Sequence, residues 1–231
     1  MEELIVGEVV DEEGGAVNIR APIPENMEAW SKQRPSKVLL KFCDGRKASP
    51  EQIKKAHALI GEIADWMGDS PEFVKVQLKR KFILQNLSEI ETGMFSFRDC
   101  DMEKARLFIT FLISLMVEYQ IPSKKPLYEQ CEDIGAYVYA CCMNKVCAVC
   151  GRHGVDLHHV SGSIIGMGGD RTAVNHLGRE VLPLCREHHN EAHNGEADFL
   201  KRYHLEPVKV DANIAKLYKL NTKERRGTDI V

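Results

Sequence analysis

Three features of this 231-residue sequence predict an α+β fold. β-Branched runs fill the first forty residues, helical periodicity with start signals runs from about residue 49 to 144, and the C-terminal third is dense in cysteine and histidine. Residues 4–10 are apolar and β-branched, Glu12-Glu13-Gly14-Gly15 reads as a turn, and residues 16–20 alternate outward again, which gives two strands. After Pro22 and Pro24, residues 38–42 predict a third strand. Ser49-Pro50-Glu51-Gln52 is a helix start with Ser as N-cap and Pro at the first position, and Ile53, Ala56, Leu59 and Ile63 then repeat at helical spacing to Met67. A second helix starts at Ser70-Pro71-Glu72, with Phe73, Val76, Leu78 and Phe82 as its apolar positions. A third runs from Asp101 to about Tyr119, before Pro122, and a fourth spans 127–144. The expected division is residues 1–145, a small sheet followed by helices, and residues 146–231, where the unusual chemistry lies.

Composition narrows the class. With 44% hydrophobic and 28% charged residues the chain has the makeup of a folded globular protein, not of a disordered or collagen-like one. The longest apolar run, around residues 107–117, is interrupted by Thr110 and Ser114 and falls short of the roughly 18 residues of a membrane-spanning helix. The opening Met1-Glu2-Glu3 has neither the basic nor the apolar part of a secretory leader, so a cytoplasmic address and no membrane partner are expected. In a reducing compartment the eight cysteines are expected to be metal ligands or small buried hydrophobes. Residues 1–145 hold 19 Lys+Arg against 23 Asp+Glu, and residues 146–231 hold 12 against 11. Neither part is basic enough to hold nucleic acid through bulk charge. Histidine is far less even: eight of the nine follow residue 150.

Four motifs interlock in that region. Cys147-Ala148-Val149-Cys150 is a C-x2-C knuckle, and Cys185-Arg186-Glu187-His188 is a C-x2-H pair downstream. Together they offer three thiolates and one imidazole, the closed tetrahedral set that structural zinc prefers. Leu157-His158-His159-Val160 places two adjacent histidines in a strand, where neighbours point to opposite faces. His189-Asn190-Glu191-Ala192-His193 puts two rings on one helix face through i, i+4 spacing. With His188 assigned to zinc, His158, His189 and His193 remain as three neutral ligands for a second ion. Cys141 and Cys142 follow a helical run and are expected on a helix face, outside the metal set. The segment Phe199-Leu200 to Tyr203-His204-Leu205 is expected in a helix core.

The ordered pattern of the knuckle, Leu157-His158-His159-Val160, Asn175-His176 and the stretch from Leu184 to His193 resembles the HNH (ββα-metal) endonuclease family, in its subfamily stabilised by a zinc knuckle. The likeness covers about residues 145–205 and is strongest to phage nucleases with an almost identical last stretch. It implies a ββα-metal module within residues 146–231, His159 as general base, and His158, His189 and His193 around a catalytic Mg2+ or Mn2+. Asn175 matches the middle position, whose side chain braces the active-site loop, and His176 is also available for it. The chemistry suits these residue types: a neutral imidazole can take the proton of an attacking water, and a divalent ion supplies charge at the scissile phosphate. Arg152, Arg186, Lys201 and Arg202 surround the motifs as candidate DNA-phosphate contacts, as do Arg171 and Arg179.

The front part resembles, through its strand-rich start, the helix pair opening at Ser49 and the segments around residues 95–103 and 119–122, the phage NinB/Orf recombination-mediator family. That implies a dimeric domain that binds single-stranded DNA or a partner such as a single-strand-binding protein or phage recombinase. Lys75, Lys79-Arg80-Lys81, Lys104 and Arg106 are its candidate basic surface. The expectation is therefore an endonuclease for branched or single-strand-bearing DNA in phage recombination or replication. The rival is a non-catalytic zinc-knuckle DNA-binding or recombination-mediator protein, and the complete histidine set argues against it.

Overall fold

The residues described by the computed structural model are 8–13, 16–20, 46–85, 94–162 and 174–222. The predicted strand at 38–42, the glycine-rich stretch 166–170, Arg171 and the stretch Lys223-Glu224-Arg225-Arg226-Gly227 lie outside them. Strands β1 (Glu8–Glu13) and β2 (Ala16–Arg20) pair antiparallel, with a register shift between Val9 and Asp11. Glu12 and Glu13 pair with Val17 and Ala16 and so belong to β1, not to the predicted turn, which leaves Gly14-Gly15 between the strands.

The helices start where their caps are written. In α1 (Pro50–Met67) the Ser49 Oγ accepts from the Gln52 N–H and the Gln52 side chain accepts in return from the Ser49 N–H. This reciprocal pair satisfies two backbone donors that the first turn leaves without partners. Gly68, at φ 72°, ends the helix in the left-handed conformation that only glycine enters at no steric cost. Helix α2 (Pro71–Gln85) buries Val74, Leu78 and Phe82, while Phe73 faces outward. Helix α3 (Met102–Glu118) begins at Asp101, whose carboxylate accepts from the Lys104 N–H at 2.7 Å.

The expected single helix over 127–144 is two helices, α4 (Leu127–Gln130) and α5 (Ile134–Asn144). Asp133 makes the break. Its Oδ1 accepts from the Ala136 N–H at 2.9 Å and its Oδ2 from Arg106 at 2.7 Å. A side chain that caps a new helix competes with continuation of the old one.

Beyond α5, β3 (Val155–His159), β4 (Glu180–Cys185) and β5 (Val208–Lys209) form an antiparallel sheet with β4 in the middle. Helix α6 (Arg186–Asn194) follows β4 directly, α7 (Glu196–Tyr203) follows after Gly195, and α8 (Ala212–Leu217) lies near the end. The result is a mixed α+β architecture of helices and small sheets. No helix among the described residues is long and apolar enough to cross a membrane.

One hydrophobic cluster runs from Ala56 of α1 through Phe108 and Leu112 of α3 and Val138 of α5 to Leu182 and Leu184 of β4. Helix α5 is its hinge point. On the other side of α5, Cys142 packs with Val181, Val210 and Ile214. Its tyrosines tie it down: the Tyr137 hydroxyl donates to the Ala148 carbonyl at 2.8 Å, and the Tyr139 hydroxyl to Asp211 at 2.9 Å.

The expected basic surface of the front helices is partly consumed by this packing. Lys79 is buried, and its Nζ donates to the Phe95 carbonyl at 2.7 Å and lies 4.4 Å from the Phe97 ring centroid. Burial, helped by nearby Lys75, holds its pKa below the ordinary lysine value. Arg106 is paired with Glu103 and Asp133.

Phe108 is fully buried, with Phe82, Phe95 and Phe97 ring centroids 5.1–5.5 Å away. Phe108→Ala is expected to lower stability by about 3–5 kcal/mol in urea unfolding, the usual cost of an aromatic-sized cavity. A loss below about 1 kcal/mol would show that the site collapses around the smaller side chain.

Candidate active site

Strand β4 ends at Cys185, and the next residue opens α6, so a single junction aims several side chains at once. Cys185 and His188 stand three positions apart, with Cys185 Sγ 3.1 Å from His188 Nδ1. The knuckle docks against the strand through the Ala148 N–H, which donates to the Pro183 carbonyl at 3.0 Å. Its tight turn uses Gly151 at φ 68°. This brings Cys147 Sγ to 3.4 Å from His188 Nδ1 and Cys150 Sγ to 3.8 Å from Cys185 Sγ. A tetrahedral zinc with ordinary bond lengths requires S···S near 3.8 Å and S···N of about 3.5 Å. The four ligand atoms all lie within 4.8 Å of one another, an arrangement compatible with zinc.

Electrostatics divide the thiols. Burial pushes Cys147 up to about 12. At Cys150 burial acts in the same direction, but hydrogen bonds from Arg152 outweigh it and hold this thiol below its usual value. Arg152 Nε donates to Cys150 Sγ at 3.2 Å, and its other end pairs with Glu187 at 2.5 Å. A cation bound among these sulfurs would favour thiolate at every position. Cys141 and Cys142 are buried in α5 and take no part in either ligand cluster.

The second convergence is His158, His189 and His193, whose ligand atoms also lie within 4.8 Å of one another. Ring centroids of His158 stand 5.0 Å from His189 and 4.8 Å from His193. Burial holds both His158 and His189 below the ordinary histidine pKa, which keeps the rings neutral as ligands must be. His158 is 2% exposed, and its Nδ1 is buried with no hydrogen-bond partner among the described residues. Burying such an atom without a partner costs about 1–3 kcal/mol. Three converging imidazoles, one with an orphaned nitrogen, fit a divalent cation.

His159, on the opposite face of β3 from His158, is half-buried and sits with Nε2 3.1 Å from Nδ1 of His176. His176 is 3% exposed, and its backbone N–H donates to the Asn221 carbonyl. Asn175 does not share that contact. Its Oδ1 accepts from the Leu177 N–H at 3.0 Å and its carbonyl accepts from Arg179 at 2.9 Å. Asn175 thus braces the loop that carries His176.

The candidate phosphate contacts differ among themselves. Arg186 and Lys201 are exposed, whereas Arg152 is engaged as above and Arg202 donates to Glu191 at 2.6 Å. Phe199 and Leu205 are buried. Sequence spacing missed Glu196, whose carboxylate lies 3.0 Å from His158 Nε2. It opens a different helix from His193, so no i, i+4 rule reaches it.

Comparison with known proteins adds the family. The model described as "Putative HNHc nuclease" matches residues 23–221. Over 57 residues the chain is 46% identical to the uncharacterized protein YdfU of Escherichia coli strain K12, and that stretch covers 25% of this chain and 15% of YdfU. No solved structure gives a significant match. A family match that takes in both the helical part and the two cysteine- and histidine-lined clusters settles the relationship: the chain belongs to the HNHc nuclease family.

Proposed function

We propose that the chain is a metal-dependent DNA endonuclease with a zinc-stabilised ββα-metal centre. The observation that carries this reading is the convergence of His158, His189 and His193 on one side of β3, with His159 on the other. Two antiparallel strands followed by α6 supply the matching order of elements. The rival, a non-catalytic zinc-knuckle DNA-binding or mediator protein, leaves the three-histidine cluster without a task.

In this reading His159 is the general base. His159 Nε2 and His176 Nδ1 lie 3.1 Å apart, a contact that orients the His159 ring, and a neutral imidazole can take the proton of an attacking water. The water oxygen bonds to phosphorus as the P–O bond to the leaving sugar oxygen breaks, and the departing alkoxide takes a proton from solvent. His158, His189 and His193 would hold a divalent ion, Mg2+ or Mn2+, which would supply positive charge at the scissile phosphate. Asn175 braces the loop and His176 orients the base, so the middle position of the motif is shared between them. Arg186 and Lys201, with Arg152 and Arg202 after exchange of their acidic partners, contact DNA phosphates. Such contacts give affinity without sequence choice.

Residues 1–145 then serve as the DNA- or partner-binding part and 146–231 as the cutting part. The substrates are branched or single-strand-bearing DNA in phage recombination or replication, in the cytoplasm of the host. A single-strand-binding protein, a phage recombinase and a second copy of the chain are the proposed partners. Supercoiled, linear, single-stranded and four-way DNA incubated with the full chain in Mg2+, Mn2+ or EDTA test the proposal. Metal-dependent cutting with a preference for the branched or single-stranded forms is expected, and no cutting of any form with either ion would overturn it.

Cys147→Ser or Cys185→Ser is expected to release zinc and lower the melting temperature, because structural zinc contributes folding free energy on the order of 10 kcal/mol in small modules. Metal analysis that finds no tightly held zinc, or an unchanged melt, removes the zinc assignment.

His159→Ala is expected to reduce cutting by about 10²–10⁴-fold, with zinc content and DNA binding retained. His193→Ala is expected to weaken the catalytic ion, with part of the activity returning at high Mn2+. Full activity in His159→Ala would refute the choice of base.

A further inference from the structure

His158 has two ring nitrogens in different circumstances. Nε2 lies 3.0 Å from Glu196 Oε2, while Nδ1 is buried without a hydrogen-bond partner among the described residues. Glu196 is itself held. Its two carboxylate oxygens accept from the Ser161 N–H at 2.9 and 3.1 Å, so it joins the end of β3 to the start of α7. An ionised carboxylate only accepts hydrogen bonds. A His158 Nε2 lone pair facing it would set two acceptors against each other, so Nε2 carries the proton. In a neutral ring the lone pair is then on Nδ1.

We propose that Glu196 is a positioning residue that locks His158 in the Nε2–H tautomer and thereby makes Nδ1 the ligand atom of the three-histidine site. The inference rests on the proposed metal reading of that site. A carboxylate behind a ligating histidine fixes ring orientation and raises ligand basicity. Glu196 does not join the ligand cluster: His158, His189 and His193 converge without it.

The test uses the full-length, zinc-loaded protein and Mn2+ as the probe. Competition against a chromophoric chelator is expected to show Mn2+ bound about 10–100-fold more weakly by Glu196→Ala, with zinc still stoichiometric as a check on folding. Glu196→Gln, which keeps an acceptor oxygen but not the charge, is expected to recover part of the affinity. Nitrogen-15 NMR of the Mn2+-free wild-type protein reads the tautomer directly and does not depend on any variant folding. A protonated Nε2 and a bare Nδ1 at His158 are expected. Unchanged Mn2+ affinity in a folded Glu196→Ala, or a protonated Nδ1 in the wild type, overturns the role of Glu196 while leaving the metal site intact. Wild-type protein whose Mn2+ binding is absent, or is unaffected by His193→Ala, instead defeats the metal reading and this inference with it.

Discussion

The junction at Cys185 is the constraint on which both clusters depend. The residue ends β4 and caps α6, so its position on the sheet fixes where the helix begins and its rotation about its axis. Successive helical residues are turned by about 100°, and His188 and His189 therefore look in different directions. His188, three positions on, returns to Cys185 and the knuckle. His189 and His193, one turn apart, look toward β3 and meet His158. A strand–helix corner with no spacer thus serves two chemically distinct sites, and a one-residue insertion there would rotate the helix away from both.

The adjacent histidines of β3 extend the division. Strand geometry sends His158 inward, where burial, Glu196 and two other imidazoles surround it, and His159 to the other face, where His176 meets it. Burial and hydrogen bonding differentiate two neighbouring side chains of the same type. Neither environment is local in sequence: Glu196 and His176 are 38 and 17 positions away.

What could be read in the sequence follows the range of the forces involved. The start of α1 was legible because a capping box is written within four residues, and the composition of each cluster was legible because ligand spacing on a knuckle or helix is short-range. The break at Asp133 was not, since an aspartate inside a helical run is silent until its partner Arg106, 27 positions back, is packed beside it. Lys79 illustrates the same limit. Its charge suggested a surface, but two aromatic rings and a carbonyl from residues 95–97 give it a buried place. Glu196 and the contact between His159 and His176 needed tertiary structure for the same reason. The family match from residue 23 onward ties the front helices to the relationship that the sequence motifs reveal only beyond about residue 145.

Helix α5 carries a consequence for how such a protein can be rearranged. Its Tyr137 and Tyr139 hydroxyls bond to the knuckle and to the cap of α8, Tyr218 donates back to the Cys142 carbonyl, and Val138 sits in the cluster that includes α1 and α3. A gene fusion or shuffling event that moved only the strands, knuckle and histidine-bearing helix into another protein would strip them of this backing. The transferable unit has to carry α5 with it, and the recipient must offer that helix a substitute for the α3 face. Recombination between relatives should therefore succeed with breakpoints upstream of α5 and fail with breakpoints just before Cys147.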